Sequence, residues 1–255
     1  MGTRIKISAV VTCFNNEETI EKCIDSLLFA DEIIVLDSFS KDNTLSILES
    51  KDCIIHQQKF KGYSQQKQDV INLASNDWVI LLDSDEFLTE KGQNEILSLL
   101  QKQPISVAYK LPRREWVFWK WSNKFVKMSK FTRLFNRQEA RVSEALVHES
   151  IVTKKSIGSL NNAVIHHVSD TFITVKVEKM NLYSQLIAKQ RFSRGRKVGV
   201  LRVIIYPFWY FFRQFIIKRQ FLNGMAGFID ASISSKYAFL KYAKLYEIQK
   251  RNSSK

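Results

Sequence analysis

Four short apolar runs, each closed by a polar turn and separated from the next by a stretch of helical periodicity, fill the first third of the chain and dictate most of its fold. They lie at 5–12, 32–37 (EIIVLD), 53–56 and 78–82 (WVILL). The last has no polar position, which is the composition of a strand covered on both faces. Between the runs, Ile20, Ile24, Leu27 and Leu28 share one helical face after Asn15 or Asn16, either of them a good N-cap. Segments 42–50 and 64–74 supply a second and a third helix. The order βαβαβαβ with right-handed crossovers predicts an α/β fold: a Rossmann-like, mostly parallel central sheet with helices on both faces. Ligands of such sheets sit beyond the carboxyl ends of the strands.

Polar side chains gather where that rule places a site. Thr12, Phe14 and Asn15 follow the first strand, Asp37 and Ser38 the second, and Asp83, Ser84 and Asp85 the fourth, with Glu86 next. Carboxylates crowded at the mouth of a buried strand repel one another unless a cation joins them. A hard divalent ion, Mg²⁺ or Mn²⁺, takes one or two carboxylates plus phosphate oxygens and so suits a diphosphate leaving group. Acidic turns are common after strands; the position after the fourth strand is what makes this one a candidate site. Phe14 offers a face to a planar base, and Asp37 an acceptor to a ribose hydroxyl. The rival uses are local: an ordinary turn at Asp37, capping by Asn15 or Asn16 at the first helix and by Asp42 at the second.

Charge marks the rest of the chain. A net +14 and a pI near 9.6 predict attraction to phosphates, nucleic acid or an acidic lipid surface. Between 110 and 137, nine Lys or Arg face one acid, Glu115, and interleave with Trp116, Phe118, Trp119, Trp121, Phe125 and Phe131. Strands are expected there and again at 141–147 and 163–168, with helices after Asp170. From 179 to 229 there are ten basic residues and no acid. Within that stretch, 198–217 carries only Arg202 and Arg213 as charges. Arginine at mid-bilayer costs about 2.5–3.5 kcal/mol, and Pro207 interrupts the helix, so the expectation is a kinked helix in the membrane interface or against the core. Three cysteines, Cys13, Cys23 and Cys53, with no CxxC pair, predict neither a disulfide framework nor a zinc site. The apolar stretch 5–13, broken by Lys6, Ser8 and Thr12, is wrong for a signal peptide, and a cytoplasmic location is expected.

The segments AVVTCFNNEETIEKCIDSL, DEIIVLDSFSKDNT and YSQQKQDVINLASNDWVILLDSDEFLT, followed by FTRLF and LVHES, make the chain resemble glycosyltransferase family 2, with the GT-A fold. With the late FLNGMAGF segment, the layout is similar to that of bacterial lipopolysaccharide inner-core β-1,4-glucosyltransferases. The resemblance implies an inverting enzyme that moves a hexose, glucose from UDP-glucose, to a lipopolysaccharide or lipooligosaccharide core sugar. It implies a nucleotide-sugar site in which Thr12, Phe14 and Glu17 form the nucleoside pocket beside Asp37, with Ser38 where many relatives carry a second aspartate. Lys67 falls where relatives approach the diphosphate, Asp83 and Asp85 (flanking Ser84) match the DxD metal motif, and His167 falls where a late metal ligand occurs. Glu149, in LVHES, is the candidate general base, with Glu144 the fallback and His148 a candidate orienting group. Arg133, in FTRLF, would meet the diphosphate or an anionic acceptor, against a surface salt bridge as the plain alternative.

The implied layout is a catalytic domain over 1–170, binding donor and glycolipid acceptor, and a basic, helical, membrane-proximal extension over 171–255. The enzyme would be peripheral on the inner face of the bacterial inner membrane, drawn to its anionic surface, and the pattern over 227–250 offers a face for self-association. Two rivals remain from the residues alone: a polyprenyl-phosphate glycosyltransferase, and a noncatalytic binder of anionic membrane or nucleic acid. No nucleic-acid signature appears, and the acids at 83–86 would repel bare phosphate.

Overall fold

Strands β1 (Ile7–Cys13), β2 (Glu32–Asp37), β3 (Ile54–Gln57) and β4 (Trp78–Asp83) alternate with helices α1 (Ile20–Asp25), α2 (Thr44–Glu49) and α3 (Tyr63–Leu73) in a computed structural model that describes residues 4–144, 149–168 and 172–253. β1 lies between β2 and β4, with β3 outside β2, all parallel. The pleat sends Ile7, Ala9, Val11, Ile80 and Leu82 to one face, against Ile20 and Ile24 of α1 and Leu48 of α2. Val10, Ile34, Leu36 and Leu81 go to the other, against Val70 and Ile71 of α3. Both faces of β1, β2 and β4 are thus dry, which is why those strands read as apolar runs, while the edge strand β3 is largely exposed. Register pairs Cys13 with Asp37 and Thr12 with Asp83, so three strand ends stop at one level.

Helix α1 starts later than its sequence suggests. Its N-cap is Thr19, with no side-chain cap. The Asn16 carbonyl accepts the Thr19 and Ile20 amides at 3.0 and 2.9 Å, while the asparagine side chains serve loops instead. Asn15 Oδ1 accepts the Lys41 amide at 2.8 Å and Asn16 Oδ1 the Phe14 amide at 3.0 Å. Asn15 sits at φ 53°, a left-handed position that asparagine tolerates. Leu28, beyond the short helix, is exposed rather than on the buried face.

After β4 come β5 (Glu86–Leu88), α4 (Glu90–Gln101), β6 (Ala108–Val117), β7 (Lys120–Trp121), β8 (Ser129–Asn136), β9 (Arg141–Val142), β10 (Ile151–Val152), β11 (Ile157–Ser159) and β12 (Ile165–His167). β8 runs antiparallel to β4 and to β6, and β12 antiparallel to β5, so the sheet is mixed, in the order β3-β2-β1-β4-β8-β6-β12-β5. Only Arg141–Val142 of the strand expected at 141–147 forms, pairing with β10; 145–148 lie outside the described residues. Helix α4, not among the expected elements although Ile96 and Leu100 recur on one buried face, is capped by Thr89, whose Oγ1 accepts the Gly92 amide at 3.3 Å. A Cβ at Gly92 would stand 2.9 Å from the Ala163 Cα, so glycine alone lets that chain pass.

Of the described residues, those in 4–114 and 129–168 form one compact unit and those in 115–128 and 172–253 a second. The segment 115–128, expected in the catalytic domain, belongs to the helical unit, because Val117 and Phe118 pack with Ala226 and Ile233. That unit contains α5 (Ile173–Ser193), α6 (Val200–Phe212), a wide π turn over Arg213–Ile217, a 3-10 turn over Gln220–Asn223 and α7 (Met225–Ser253). The 227–250 pattern lies in α7, which packs on α5 and α6. None of the residues of α6 is buried. Val203 and Tyr206 pack against the cluster of Tyr242 and Leu245 on α7, while Leu201, Ile204, Ile205, Phe208, Trp209 and Phe212 are exposed. Pro207 removes one helical donor inside α6, and its own carbonyl accepts from Ser235 Oγ of α7 at 2.8 Å.

Candidate active site

Asp83 ends β4 with both carboxylate oxygens engaged by cations. Lys67 Nζ of α3 lies 2.5 Å from its Oδ1 and Arg133 Nη2 of β8 lies 2.7 Å from its Oδ2. Burial alone would push the Asp83 carboxyl up; Arg133 and Lys67 overcome it and hold the group far below the ordinary carboxylate range. Burial would also discharge Lys67, and Asp83 with Glu149 holds its ammonium above the usual lysine value, against Arg133. Glu86, fully buried, receives Arg133 Nη2 at 2.7 Å and Arg113 Nη1 at 2.9 Å on Oε1, and the Asp83 amide at 3.1 Å on Oε2. Glu86 therefore belongs to the support of the strand end, not to its open mouth. Arg133 is 7% exposed and spends Nη2 on Asp83 and Glu86, a positioning role beneath the triplet rather than a surface salt bridge.

Lys67 also reaches Glu149 Oε1 at 2.6 Å, so the candidate base and the acidic motif share one ammonium. The Glu149 side chain keeps 12% of its surface accessible. His148 lies outside the described residues. Asp85 and His167 meet at 3.3 Å, Oδ2 to Nε2, because β12 pairs with β5 and sets His167 opposite Glu86. The Val168 amide donates to the Asp85 carbonyl at 2.9 Å and fixes that turn.

Among the described residues no three His, Cys, Asp or Glu side chains converge as a closed metal cage. One carboxylate and one imidazole, Asp85 and His167, do fit a hard divalent ion that takes its other ligands from phosphate and water. Asp83 differs from the simple reading of the motif: its oxygens are occupied by Lys67 and Arg133, whereas Asp85 meets only His167 among these side chains.

At the end of β1, Thr12 is half-buried in register with Asp83, and Phe14 is exposed. Asp37, fully buried, accepts from the Ser40 amide at 3.0 Å and from Gln57 Nε2 at 3.0 Å. Ser38 Oγ accepts from Gln66 Nε2 at 3.1 Å. Glu17 Oε2 accepts the Asn43 amide at 2.9 Å, and Asp42 accepts the Glu17 and Thr44 amides at 3.2 and 3.1 Å, so Asp42 does support the start of α2. Asn16, marked in the sequence only as a cap, accepts from Ser84 Oγ at 2.7 Å, and Gln57 and Ser40, which the sequence did not mark, brace Asp37. Arg113 carries Glu86 and stacks 4.1 Å from the Phe131 ring centroid.

An open, mixed but mostly parallel sheet with an acidic turn at its carboxyl edge is the layout of the GT-A fold. Residues 8–178 match the Glycosyl transferase family 2 profile, and the chain belongs to that family. It is 33% identical over 265 residues to a glycosyltransferase of Rickettsia bellii, covering 95% of this chain and 87% of the relative. It is 29% identical over 255 residues to the lipopolysaccharide core biosynthesis glycosyltransferase LpsC of Rhizobium meliloti, covering 97% and 94%. Among solved structures, TarS 1-349 of S. aureus matches with a TM-score of 0.50 at 14% identity, over 97% of this chain and 92% of that one. Glucosyl-3-phosphoglycerate synthase of Mycobacterium tuberculosis, solved with Mn²⁺, uridine diphosphate and phosphoglyceric acid, matches with a TM-score of 0.52 at 18% identity, over 76% and 80%. These two share the fold.

Proposed function

We propose that the enzyme transfers a hexose, glucose from UDP-glucose, with inversion to a core sugar of lipopolysaccharide or lipooligosaccharide. The single observation that carries the reading is Lys67 standing between Asp83 and Glu149 at the carboxyl edge of the sheet. It brings a base and a positive charge to the same place as the acidic turn, which an inverting displacement requires. The likeness to LpsC over nearly the whole chain supports the core-sugar acceptor.

In this reading Thr12, Phe14 and Glu17 hold the nucleoside, Asp37 and Ser38 its ribose and base, and Lys67 and Ser84 the diphosphate. Arg133 acts from below by fixing Asp83. Glu149 removes the proton of the acceptor hydroxyl as that oxygen attacks the anomeric carbon opposite the departing nucleotide. Asp85 and His167 would hold Mg²⁺ or Mn²⁺, which neutralises charge on the diphosphate when bound. The exposed apolar face of α6, with basic residues on the same unit, supports attachment to the anionic inner face of the bacterial inner membrane, where a glycolipid acceptor resides.

The test is release of nucleotide diphosphate from a panel of sugar nucleotides with Mn²⁺, Mg²⁺ or chelator, for wild type and Asp85→Ala. UDP-glucose is expected to be consumed by wild type with metal, and not by Asp85→Ala. Turnover that ignores chelator, or that survives Asp85→Ala, would refute the metal site; preference for another donor would refute UDP-glucose.

A further inference from the structure

Three cations converge in the helical unit without an acid. Lys241 of α7 is 8% exposed, and its Nζ lies 5.2, 5.6, 5.5 and 5.1 Å from the ring centroids of Tyr206, Tyr210, Tyr237 and Tyr242. Arg191, in the last turn of α5, and Arg202, in the first turn of α6, stand 5.1 and 5.2 Å from the same Tyr242 centroid. Among the described residues no carboxylate forms an ion pair with any of the three.

Aromatic faces partly compensate a buried ammonium, but rings do not cancel the repulsion among three like charges, and a buried charge ordinarily has an ionic partner. The protonation of the cluster reports the same imbalance. Burial, with Arg191 and Arg202, holds Lys241 below its usual value. Burial alone would push the Tyr242 phenol up, yet the hydrogen bond and charge of Arg191, with Lys241 and Arg202, bring it below the ordinary tyrosine range. Two guanidinium forks and an ammonium match an anion with several acceptor oxygens, phosphate above all. Arg202 stands in α6 between Leu201 and the exposed Ile204 and Ile205, so a phosphate held here would have apolar surface beside it.

We propose that Arg191, Arg202 and Lys241 form a binding site for the headgroup phosphate of an anionic membrane lipid, whose acyl chains lie along the outer face of α6. The phosphate supplies the negative partner that the helices leave out, and the apolar face covers the hydrocarbon attached to it. The site rests on the membrane reading above for the source of the phosphate, and is independent of the sugar chemistry.

The test is co-sedimentation of the full chain with vesicles of phosphatidylcholine alone, with phosphatidylglycerol, and with oleate at matched surface charge. The proteins compared are wild type, Arg202→Gln, Lys241→Gln and, as a control on the same helix as Lys241, Lys236→Gln. Wild type should prefer phosphatidylglycerol to oleate. Arg202→Gln and Lys241→Gln should each bind those vesicles about fivefold more weakly or worse, the effect of one basic contact, while Lys236→Gln should change binding less than about twofold. Arg202 is exposed, so its variant carries the test if Lys241→Gln does not fold. Equal losses in Arg202→Gln and Lys236→Gln, or equal binding to oleate, would overturn the phosphate site while leaving membrane attachment intact. No binding to any anionic vesicle would overturn both. Inorganic phosphate raising the Tm of wild type but not of Arg202→Gln, without a phosphatidylglycerol preference, would overturn the lipid as the source.

Discussion

In the sheet unit, Lys67, Arg113 and Arg133 meet Asp83, Glu86 and Glu149 in one continuous chain of contacts, three cations for three carboxylates. In the helical unit, Arg191, Arg202 and Lys241 gather around Tyr242, and among the described residues no carboxylate forms an ion pair with them. Apolar side chains follow the same division. Ile80 and Leu82 are sealed under helices, whereas Phe208 and Trp209 face outward at 74% and 50% exposure. At these two places the sheet unit pairs its charges and buries its apolar strand, whereas the helical unit leaves its cations without a carboxylate partner among the described residues and its apolar face exposed.

The largest test of that contrast is chemical. Glu149→Gln should lower transfer about 10²- to 10⁴-fold, the usual worth of a general base, with donor affinity kept in a titration. Near wild-type transfer would move the base elsewhere, to Glu144 first. Next comes stability. Arg133→Met leaves Asp83 and Glu86 short of a buried partner and should cost about 3–5 kcal/mol in urea unfolding, whereas Arg202→Met in the uncompensated cluster should change stability by less than about 0.5 kcal/mol. Similar losses at the two arginines would erase the distinction. On the outer face of α6, Phe208→Ser with Trp209→Ser should weaken partition into anionic vesicles about 10²- to 10⁴-fold, on about 1.5–3 kcal/mol for each large side chain. Unfolding of that variant should match wild type, and a lowered Tm would mean that the two side chains pack inside the protein.

The smallest effect concerns pH. Burial and then Arg114 hold His166 below its ordinary value of 6.5. The unfolded chain therefore binds more protons just below that value, so this contribution to stability is complete above pH 6.5 and is lost as pH falls towards the lower folded value. A Tm profile of His166→Gln should lack that part of the decline; an unchanged profile would assign it to other groups.

The parallel half of the fold was legible because its strands are dry on both faces: a run such as WVILL admits few other structures. The strand ends that carry acids, Asp37 and Asp83, were legible as neighbours at one level of the sheet. The site was not legible at Glu86, whose buried partners Arg113 and Arg133 lie 27 and 47 residues away. The asparagines of the first loop misled for a related reason. Asn15 and Asn16 have the chemistry of caps, but their acceptors reach Lys41 and Ser84 across the site, and no local pattern distinguishes the two uses. For α6 the sequence left interface and core both open, and the helix divides between a packed and an exposed face: Val203 and Tyr206 lie against the Tyr242 cluster, while Leu201, Phe208 and Trp209 are exposed.

Gly92 illustrates how far the chemistry reaches into the scaffold. Its missing methyl group lets the chain at Ala163 cross α4, and two residues later that chain enters β12 and delivers His167 to Asp85. A mutational scan scored by activity would flag this position, although it bears no reactive atom. The placement of His167 beside Asp85 and the packing of α4 thus hang on the same missing methyl group, and a change that disturbs one disturbs the other.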